Sequence, residues 1–268
     1  MNYQALLNAV KDISVEAGNA ILTIYDRDGD LDITTKENDS PLTEADLAAH
    51  RIIVDALREL TPALPILSEE SRAVSWQERQ SWQTYWLVDP LDGTKEFISR
   101  NGEFTVNIAL IDQGRPALGV VYVPVKGIVY FGSPEGAFKE EDGKRESIQT
   151  AKIEDNQHTI AVVASRNHKG EELENWLERA AVKFPQMKLV SMGSSLKICL
   201  VAEGLADIYP RLALTSEWDT AAAQAVLEAA GGILTDTDFN IYRYNKKEDI
   251  LNPFFFAIGD RTYDWQSI

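Results

Sequence analysis

An unbroken apolar run, Tyr85-Trp86-Leu87-Val88, leads straight into Asp89-Pro90-Leu91-Asp92-Gly93-Thr94. No other stretch constrains the chain as much. The run reads as a buried strand, and a carboxylate that closes a buried strand needs a partner. The strand therefore delivers Asp89 and Asp92 to one end of a sheet. Gly93 lets the backbone approach a ligand closely. Thr94 opens a short polar segment, Lys95-Glu96-Phe97, whose start suits a helix N-terminus with N–H groups available to an anion. Carboxylates for hard cations beside amides for a phosphate point to metal-assisted phosphate chemistry.

The flanking sequence supplies elements to carry this motif. Leu6, Leu7, Val10, Ile13, Ala17, Ile21 and Ile24 recur at helical spacing and predict an amphipathic helix over residues 4–25. An extended piece over 31–35 and a polar loop over 36–41 follow. A second helix runs from about Glu44 to Leu60, with Thr43 and Asp46 spaced as a capping box. Pro62 and Pro65 break the chain, and Ile66-Leu67 is a brief strand ending at Ser68-Glu69-Glu70-Ser71. After the opening motif, residues 104–111, 117–123, 127–131 and 136–139 read as a strand meander with turns at 114–116, 124–126 and 133–135.

The charged segment 140–155 is read as the boundary between an N-terminal α+β, metal-binding domain (1–150) and a C-terminal α/β domain (151–268). The second half alternates strand and helix: strands over 159–164, 188–192, 206–209, 233–235 and 254–258, and helices over 170–182, 194–203 and 220–230. That alternation argues for α/β architecture. Gly231-Gly232 closes the last helix.

The net charge of −16 excludes long nucleic acids as natural partners, because phosphate contacts need clustered Lys and Arg. A small phosphorylated ligand stays compatible if bound cations reverse the local charge. No apolar run approaches the roughly 20 residues of a membrane span, and the first residues lack a signal peptide. Cys199 is the only cysteine, so no intramolecular disulfide forms. It sits among Ile198, Leu200 and Val201 and reads as core. The cytoplasm is the expected compartment, with peripheral association at the inner membrane left open.

Beside the Asp89/Asp92 pair, three acidic residues stand next to strand ends or helix starts: Glu69, Asp219 and Asp46. Each also has a plainer reading. Glu69 suits a surface loop, Asp92 before Gly93 a turn, Asp219 before Thr220 an N-cap, and Asp46 the acid of a capping box. Together they supply enough carboxylates for two Mg2+ ions, which take one or two each plus water and phosphate oxygens.

The ordered set Leu67-Ser68-Glu69-Glu70, Asp89-Pro90-Leu91-Asp92-Gly93-Thr94 and Trp218-Asp219-Thr220-Ala221-Ala222 resembles the inositol monophosphatase superfamily of Mg2+-dependent, lithium-sensitive phosphatases. The likeness runs from the first helix to Phe256. Four further segments narrow it: Ser40 to Asp46, the extension Lys95-Glu96-Phe97, Asn101 to Ile108, and Gly193-Ser194-Ser195-Leu196-Lys197. These resemble the 3'(2'),5'-bisphosphate nucleotidases of the bacterial CysQ type.

The resemblance implies a layered αβαβα sandwich and hydrolysis of the 3'-phosphate of adenosine 3',5'-bisphosphate (PAP) by a metal-activated water, leaving AMP. Its sulfated relative, 3'-phosphoadenosine 5'-phosphosulfate (PAPS), is a second candidate substrate. It implies two or three Mg2+ ions held by Glu69, Asp89, the Leu91 carbonyl, Asp92 and Asp219. Asp46 and Thr94 would form the catalytic pair, and the N–H groups of Gly93 and Thr94 would hold phosphate. The substrate set is Glu69, Leu91, Asp92, Gly93, Thr94 and Asp219 with His168, Ser194, Lys197 and Arg211, the last four contacting the nucleotide. A monomer or weak dimer is expected. The rivals are an inositol monophosphatase or fructose 1,6-bisphosphatase of the same superfamily and, from a different class, a non-catalytic cation- or ligand-binding module.

Overall fold

The computed structural model describes residues 3–27, 33–35, 41–71, 74–154, 158–164 and 170–268. The chain opens with α1 (Tyr3–Tyr25), which buries Leu7, Val10, Ile13, Ala17, Ile21 and Ile24 along one face, as the 3.6-residue period demands. Strands β1 (Ile33–Thr35) and β2 (Pro41–Thr43) form a small antiparallel ribbon. Helix α2 (Glu44–Leu60) starts directly after β2. Then come β3 (Ile66–Ser68), the single-turn α3 (Trp76–Arg79), β4 (Thr84–Asp92) and the short α4 (Thr94–Ile98). Strands β5 (Thr105–Asp112), β6 (Arg115–Val123), β7 (Ile128–Ser133), β8 (Gly136–Glu141) and β9 (Lys144–Ser147) complete a seven-stranded sheet of order β3-β4-β5-β6-β7-β8-β9. Only the β3–β4 pair is parallel; the rest is a meander.

The second half contains β10 (Thr159–Ala164), α5 (Glu171–Lys183), β11 (Gln186–Ser191), α6 (Leu196–Ala202), β12 (Ile208–Arg211), α7 (Glu217–Ala229), β13 (Ile233–Asp236) and β14 (Phe255–Ile258). Its sheet has the order β11-β10-β12-β14-β13 and is mixed: β10 pairs in parallel with β11 and β12, whereas β14 runs antiparallel to β12 and β13.

Five layers result, because each strand alternates its side chains between two faces. Trp86 and Val88 of β4 pack with α1 and α2, while Tyr85 and Leu87 turn to the opposite core. That central core contains α6, α7 and one face of the second sheet, including Tyr209, Phe255 and Ala257. Ile160, Val162, Ile208 and Phe256 face the other way, onto Trp176, Ala180 and Phe184 around α5. The order is helices, sheet, helices, sheet, helix, which is the αβαβα sandwich. Helix α7 lies flat on the first sheet because Gly119 and Gly132 leave room for it: a Cβ on Gly119 would fall 2.3 Å from the Ala222 carbonyl oxygen.

Several sequence expectations need correction. The strand expected over 85–88 continues to Asp92, so both aspartates lie within β4; a register shift between them lets the strand accept Pro90. Within the segment 140–155, Lys144–Ser147 form β9, a strand that the sequence reading did not place. Pro41 begins a strand instead of ending a loop. Arg115 and Pro116, expected in a turn, are the first residues of β6. The last long helix starts at Glu217, three residues early, so the N-cap is Ser216 and not Asp219. Arg211 is the final residue of β12 and does not follow it. Residues 31–32, 36–40 and His168 lie outside the described residues.

Candidate active site

Asp46 is the third residue of α2 and is buried, 1% exposed. The capping box forms as its spacing requires: the Thr43 N–H donates to Asp46 Oδ2 at 2.8 Å and the Thr43 hydroxyl donates to the same oxygen at 2.5 Å. The second oxygen, Oδ1, accepts from the Thr94 hydroxyl at 3.4 Å. A residue that caps a helix therefore also reaches the start of α4.

Gly93 precedes Thr94 with φ of +98°, a left-handed conformation that favours glycine. It turns the chain sharply out of β4, so that Asp89, Asp92 and Thr94 converge within six residues. Asp89 is 1% exposed, and its Oδ1 accepts from the Leu91 N–H at 3.0 Å. Asp92 Oδ2 accepts from the Ser195 N–H at 2.5 Å, from Asn107 Nδ2 at 3.3 Å and from the Thr105 hydroxyl at 3.4 Å.

The other two carboxylates arrive from separate elements. The Glu69 N–H donates to the Val88 carbonyl at 3.1 Å, which fixes Glu69 beside Asp89 across the β3–β4 pair. Asp219 occupies the third position of α7, where its Oδ2 accepts from the Ser216 N–H at 2.8 Å in a second capping box. Burial raises the Asp89 carboxyl well above the ordinary carboxylate range, and the charges of Glu69, Asp92, Asp219 and Asp46 push it further. Asp219 is raised well above that range by burial and then by Asp92. Asp92 is raised by burial, with Lys197 and the Ser195 N–H opposing. The five carboxylates thus act on one another as a single negative cluster.

A cleft of about 200 Å³ opens against this cluster, lined by Asp92, Gly93 and Asp219 and by Ser194, Lys197 and Arg211. Lys197 Nζ donates to the Ser194 carbonyl at 2.9 Å and lies 5.8 Å from the centre of the Tyr209 ring. Burial lowers the Lys197 pKa, with Asp92 opposing. Arg211 donates through Nη2 to the Leu214 carbonyl at 2.9 Å, and its buried Nε has no hydrogen-bond partner among the described residues. Ser194 sits at φ of +45°, a constrained conformation for a serine.

Asp46, Glu69, Asp89, Asp92, Thr94 and Asp219 are therefore brought together, and Ser194, Lys197 and Arg211 face them. Cys199 is fully buried, and burial raises its thiol well above the usual range, as a core cysteine requires. Sequence reasoning gave no individual role to Asn107, Thr105, Ser195 and Glu103. The Ser195 hydroxyl donates to Asn107 Oδ1 at 2.8 Å and lies 2.9 Å from the Thr105 hydroxyl, while the Gly193 N–H donates to Glu103 Oε2 at 2.7 Å. Together these bonds fasten the start of α6 to β4 and β5. All four lie in the segments Asn101 to Ile108 and Gly193 to Lys197 that carry the resemblance. Thr105 and Asn107 also alternate with apolar neighbours in a strand buried as far as Ile111, where such residues need partners.

The sequence matches the inositol monophosphatase family over residues 2–257. The chain belongs to the inositol monophosphatase family. Within that family it is 48% identical over 250 residues to the 3'(2'),5'-bisphosphate nucleotidase CysQ of Salmonella typhimurium, covering 93% of this chain and 98% of that protein. It is 49% identical over 250 residues to the 3'(2'),5'-bisphosphate nucleotidase CysQ of Escherichia coli, with the same coverage. The crystal structure of CysQ from Bacteroides thetaiotaomicron superimposes with a TM-score of 0.85 at 43% identity, covering 97% of this chain and 99% of that one. The five-layer fold is thus the inositol monophosphatase fold.

Proposed function

We propose that this protein is a Mg2+-dependent 3'(2'),5'-bisphosphate nucleotidase that converts PAP to AMP and inorganic phosphate. One observation carries the reading: two carboxylates of the buried cluster, Asp92 and Asp219, and two cationic side chains, Lys197 and Arg211, share one cleft. The carboxylates suit the cations of phosphate chemistry, and the side-chain cations suit a second phosphate that is kept. A simple phosphomonoester has no group for that second half. The CysQ relatives, named as bisphosphate nucleotidases, support the same assignment.

The donor set fits a hard divalent ion. Asp89 is buried with four carboxylates acting on it, a repulsion that a cation relieves. Among the described residues, no three His, Cys, Asp or Glu side chains form a ready cage. Mg2+ does not need one, since it takes one or two carboxylates and keeps several waters. Glu69, Asp89, the Leu91 carbonyl, Asp92 and Asp219 would hold two ions, with a third at Glu69. Bound cations supply water activation and neutralise charge on the leaving oxygen.

The remaining work falls to the protein's own groups. Thr94 Oγ1 orients the attacking water and passes its hydroxyl proton to Asp46 Oδ1, 3.4 Å away, as it takes one from the water. Asp46 is held in place for this by Thr43. Water oxygen bonds to phosphorus as the P–O3' bond breaks. The 3'-oxygen leaves with the bonding pair and takes a proton from solvent to become the 3'-hydroxyl of AMP, and Asp46 returns its proton to solvent. The N–H groups of Gly93 and Thr94 hold the departing phosphoryl oxygens. Ser194, Lys197 and Arg211 bind the nucleotide and its 5'-phosphate; His168 joins them on resemblance alone. In this reading residues 1–150 carry most of the metal site and 151–268 carry recognition, with Asp219 crossing between them.

Among the described residues no helix is long and apolar enough to cross a membrane, and a cytoplasmic enzyme fits this reading. The deciding experiment is steady-state kinetics on PAP, PAPS, inositol 1-phosphate and fructose 1,6-bisphosphate with Mg2+ titrated. The expected result is a dominant kcat/KM for PAP. Comparable turnover of inositol 1-phosphate would sink the assignment.

A further inference from the structure

Helix α7 delivers Asp219 to the site and packs on the first sheet through small residues. The helix presents Ala222, Ala225, Val226 and Ala229 to a surface containing Gly119 and Gly132. A Cβ on Gly119 would meet Ala222 O at 2.3 Å and Ala225 Cβ at 2.8 Å, and one on Gly132 would meet Val226 Cα at 2.7 Å. Contacts between small residues are close but shallow. A helix advanced by one residue turns about 100° and rises about 1.5 Å, which would carry Asp219 out of the cluster.

A second face of α7 carries a buried polar ladder instead. Thr220, Gln224 and Glu228 stand four residues apart. The Tyr244 hydroxyl donates to Gln224 Oε1 at 2.6 Å and lies 3.0 Å from the Thr220 hydroxyl. Gln224 Nε2 donates to Glu228 Oε1 at 2.7 Å, and Arg115 Nη2 donates to Glu228 Oε2 at 3.0 Å. At the other end, Asn252 Nδ2 donates to Thr220 Oγ1 at 3.2 Å, Thr215 Oγ1 at 2.9 Å and Ser216 O at 2.7 Å. Thr220, Gln224 and Tyr244 are each at most 1% exposed. The ladder also closes on the sheet, because the Tyr244 N–H donates to the Gly114 carbonyl at 3.0 Å, beside Arg115 in the turn between β5 and β6.

We propose that Tyr244 and Gln224 are positioning residues that set the register of α7 on the first sheet and so aim Asp219 at the bound cation. The proposal rests on the reading of Asp219 as a cation ligand. Buried polar groups serve as register devices because a slipped arrangement leaves them unpaired in a dry interior. Here a slip of α7 would part the Tyr244 hydroxyl from Gln224 Oε1 and from the Thr220 hydroxyl, and the Asn252 amide from Thr220, whereas the Gln224–Glu228 and Thr220–Glu217 bonds lie within α7 and move with it.

The test measures Mg2+ binding by titration calorimetry to metal-free wild type, Tyr244→Phe, Arg115→Ala, Arg115→Lys and Asp89→Asn. Tyr244→Phe keeps the ring and removes one hydroxyl. Expected are roughly tenfold weaker Mg2+ binding and a similar fall in kcat, the effect typical of groups that orient metal ligands, with KM for PAP within about twofold. Arg115→Ala should weaken Mg2+ binding less, and Arg115→Lys should restore it. A control, Phe184→Leu in the outer core around α5, lowers stability away from the ladder and should leave Mg2+ affinity unchanged. Wild-type affinity in Tyr244→Phe, or equal weakening in Phe184→Leu, overturns the proposal alone. Wild type that binds no Mg2+, or binds it as Asp89→Asn does, overturns the functional reading and this one together.

Discussion

The Ser195 N–H donates to Asp92 Oδ2 over 2.5 Å, tying the first turn of α6 to the end of β4. One carboxylate oxygen thus joins the strand that carries the acidic cluster to the helix that carries Lys197. The two parts of the site cannot move independently without losing a charge-assisted hydrogen bond. Glu103 reinforces the joint by accepting the Gly193 N–H at 2.7 Å.

Gly193→Ala tests that joint. A Cβ at this position would lie 2.7 Å from the Glu103 carbonyl oxygen and 2.9 Å from Glu96 Cγ. The backbone oxygen cannot yield as a flexible side-chain end can, so α6 must shift away from β4. Overpacking of this kind costs about 1–3 kcal/mol. Denaturant unfolding should show that loss, and kcat/KM for PAP should fall at least tenfold. An alanine variant with unchanged stability and turnover would show that the close approach has no consequence.

Thr94→Val separates proton transfer from binding. Valine keeps the branched shape and removes the hydroxyl that reaches Asp46 Oδ1. The expected loss in kcat is about 10²–10⁴-fold, with KM for PAP little changed, while Thr94→Ser keeps most activity. The kinetics of Val and Ser variants measured side by side decide it: equal losses in both argue for packing instead.

Asp89→Asn has opposite effects on chemistry and on the metal-free fold. Burial and four neighbouring carboxylates disfavour its ionised form. A neutral amide relieves that repulsion, so Tm measured in chelator should rise by a few degrees. Mg2+-dependent turnover should vanish, and the Mg2+-induced gain in Tm should shrink. A lower Tm in chelator combined with retained turnover refutes the electrostatic account of this residue.

The same cluster sets a pH dependence. Asp89, Asp92 and Asp219 are raised from the ordinary value of 3.8, and burial raises Glu217 from 4.5 to about 7. Between the ordinary and raised values the folded state holds more protons than the unfolded chain, so stability falls as pH rises. Metal-free protein should therefore be most stable near pH 4 on this account and lose stability as pH rises through about 7. Saturating Mg2+ should flatten the decline by favouring the ionised carboxylates. Urea midpoints across pH, with and without Mg2+, measure both slopes; a rise in metal-free stability over this range contradicts the cluster.

The site was legible where a single segment carries both position and chemistry. Asp89, Asp92, Gly93 and Thr94 share one strand end, so local reading found them and placed the helix that follows. Asp46 was legible because a capping box has a fixed spacing, and that box forms as expected. What escaped were the partners across elements. Nothing local tells that Ser195 meets Asp92 across 103 positions or that Asn107 supports both. The start of α7 was misplaced for a physical reason as well: Glu217 and Trp218 look like loop residues until Asn245 is seen donating its N–H to the Glu217 carboxylate at 2.9 Å. Likewise, β9 is a fully exposed edge strand with no apolar alternation to mark it.

Lys197→Ala should separate the nucleotide from simpler phosphate esters. Lys197 stands opposite Asp92 in the cleft, and its Nζ is anchored on the Ser194 carbonyl at 2.9 Å, so the charge is held and not left to wander. Its pKa is lowered by burial, which means that the protein keeps a poorly solvated ammonium where an anionic ligand gives it a partner. A hydrogen bond to a charged group contributes about 1.5–3 kcal/mol, so kcat/KM for PAP should fall roughly tenfold to hundredfold. If Lys197 binds the second phosphate as proposed, turnover of a phosphomonoester without one should change less than threefold. Lys197→Arg is not a conservative rescue, because a forked guanidinium cannot occupy the point-charge position between Ser194 and Asp92. Kinetics of the alanine variant on PAP and on p-nitrophenyl phosphate give the comparison. Equal losses on both substrates remove Lys197 from nucleotide recognition and leave it as a counter-charge to Asp92.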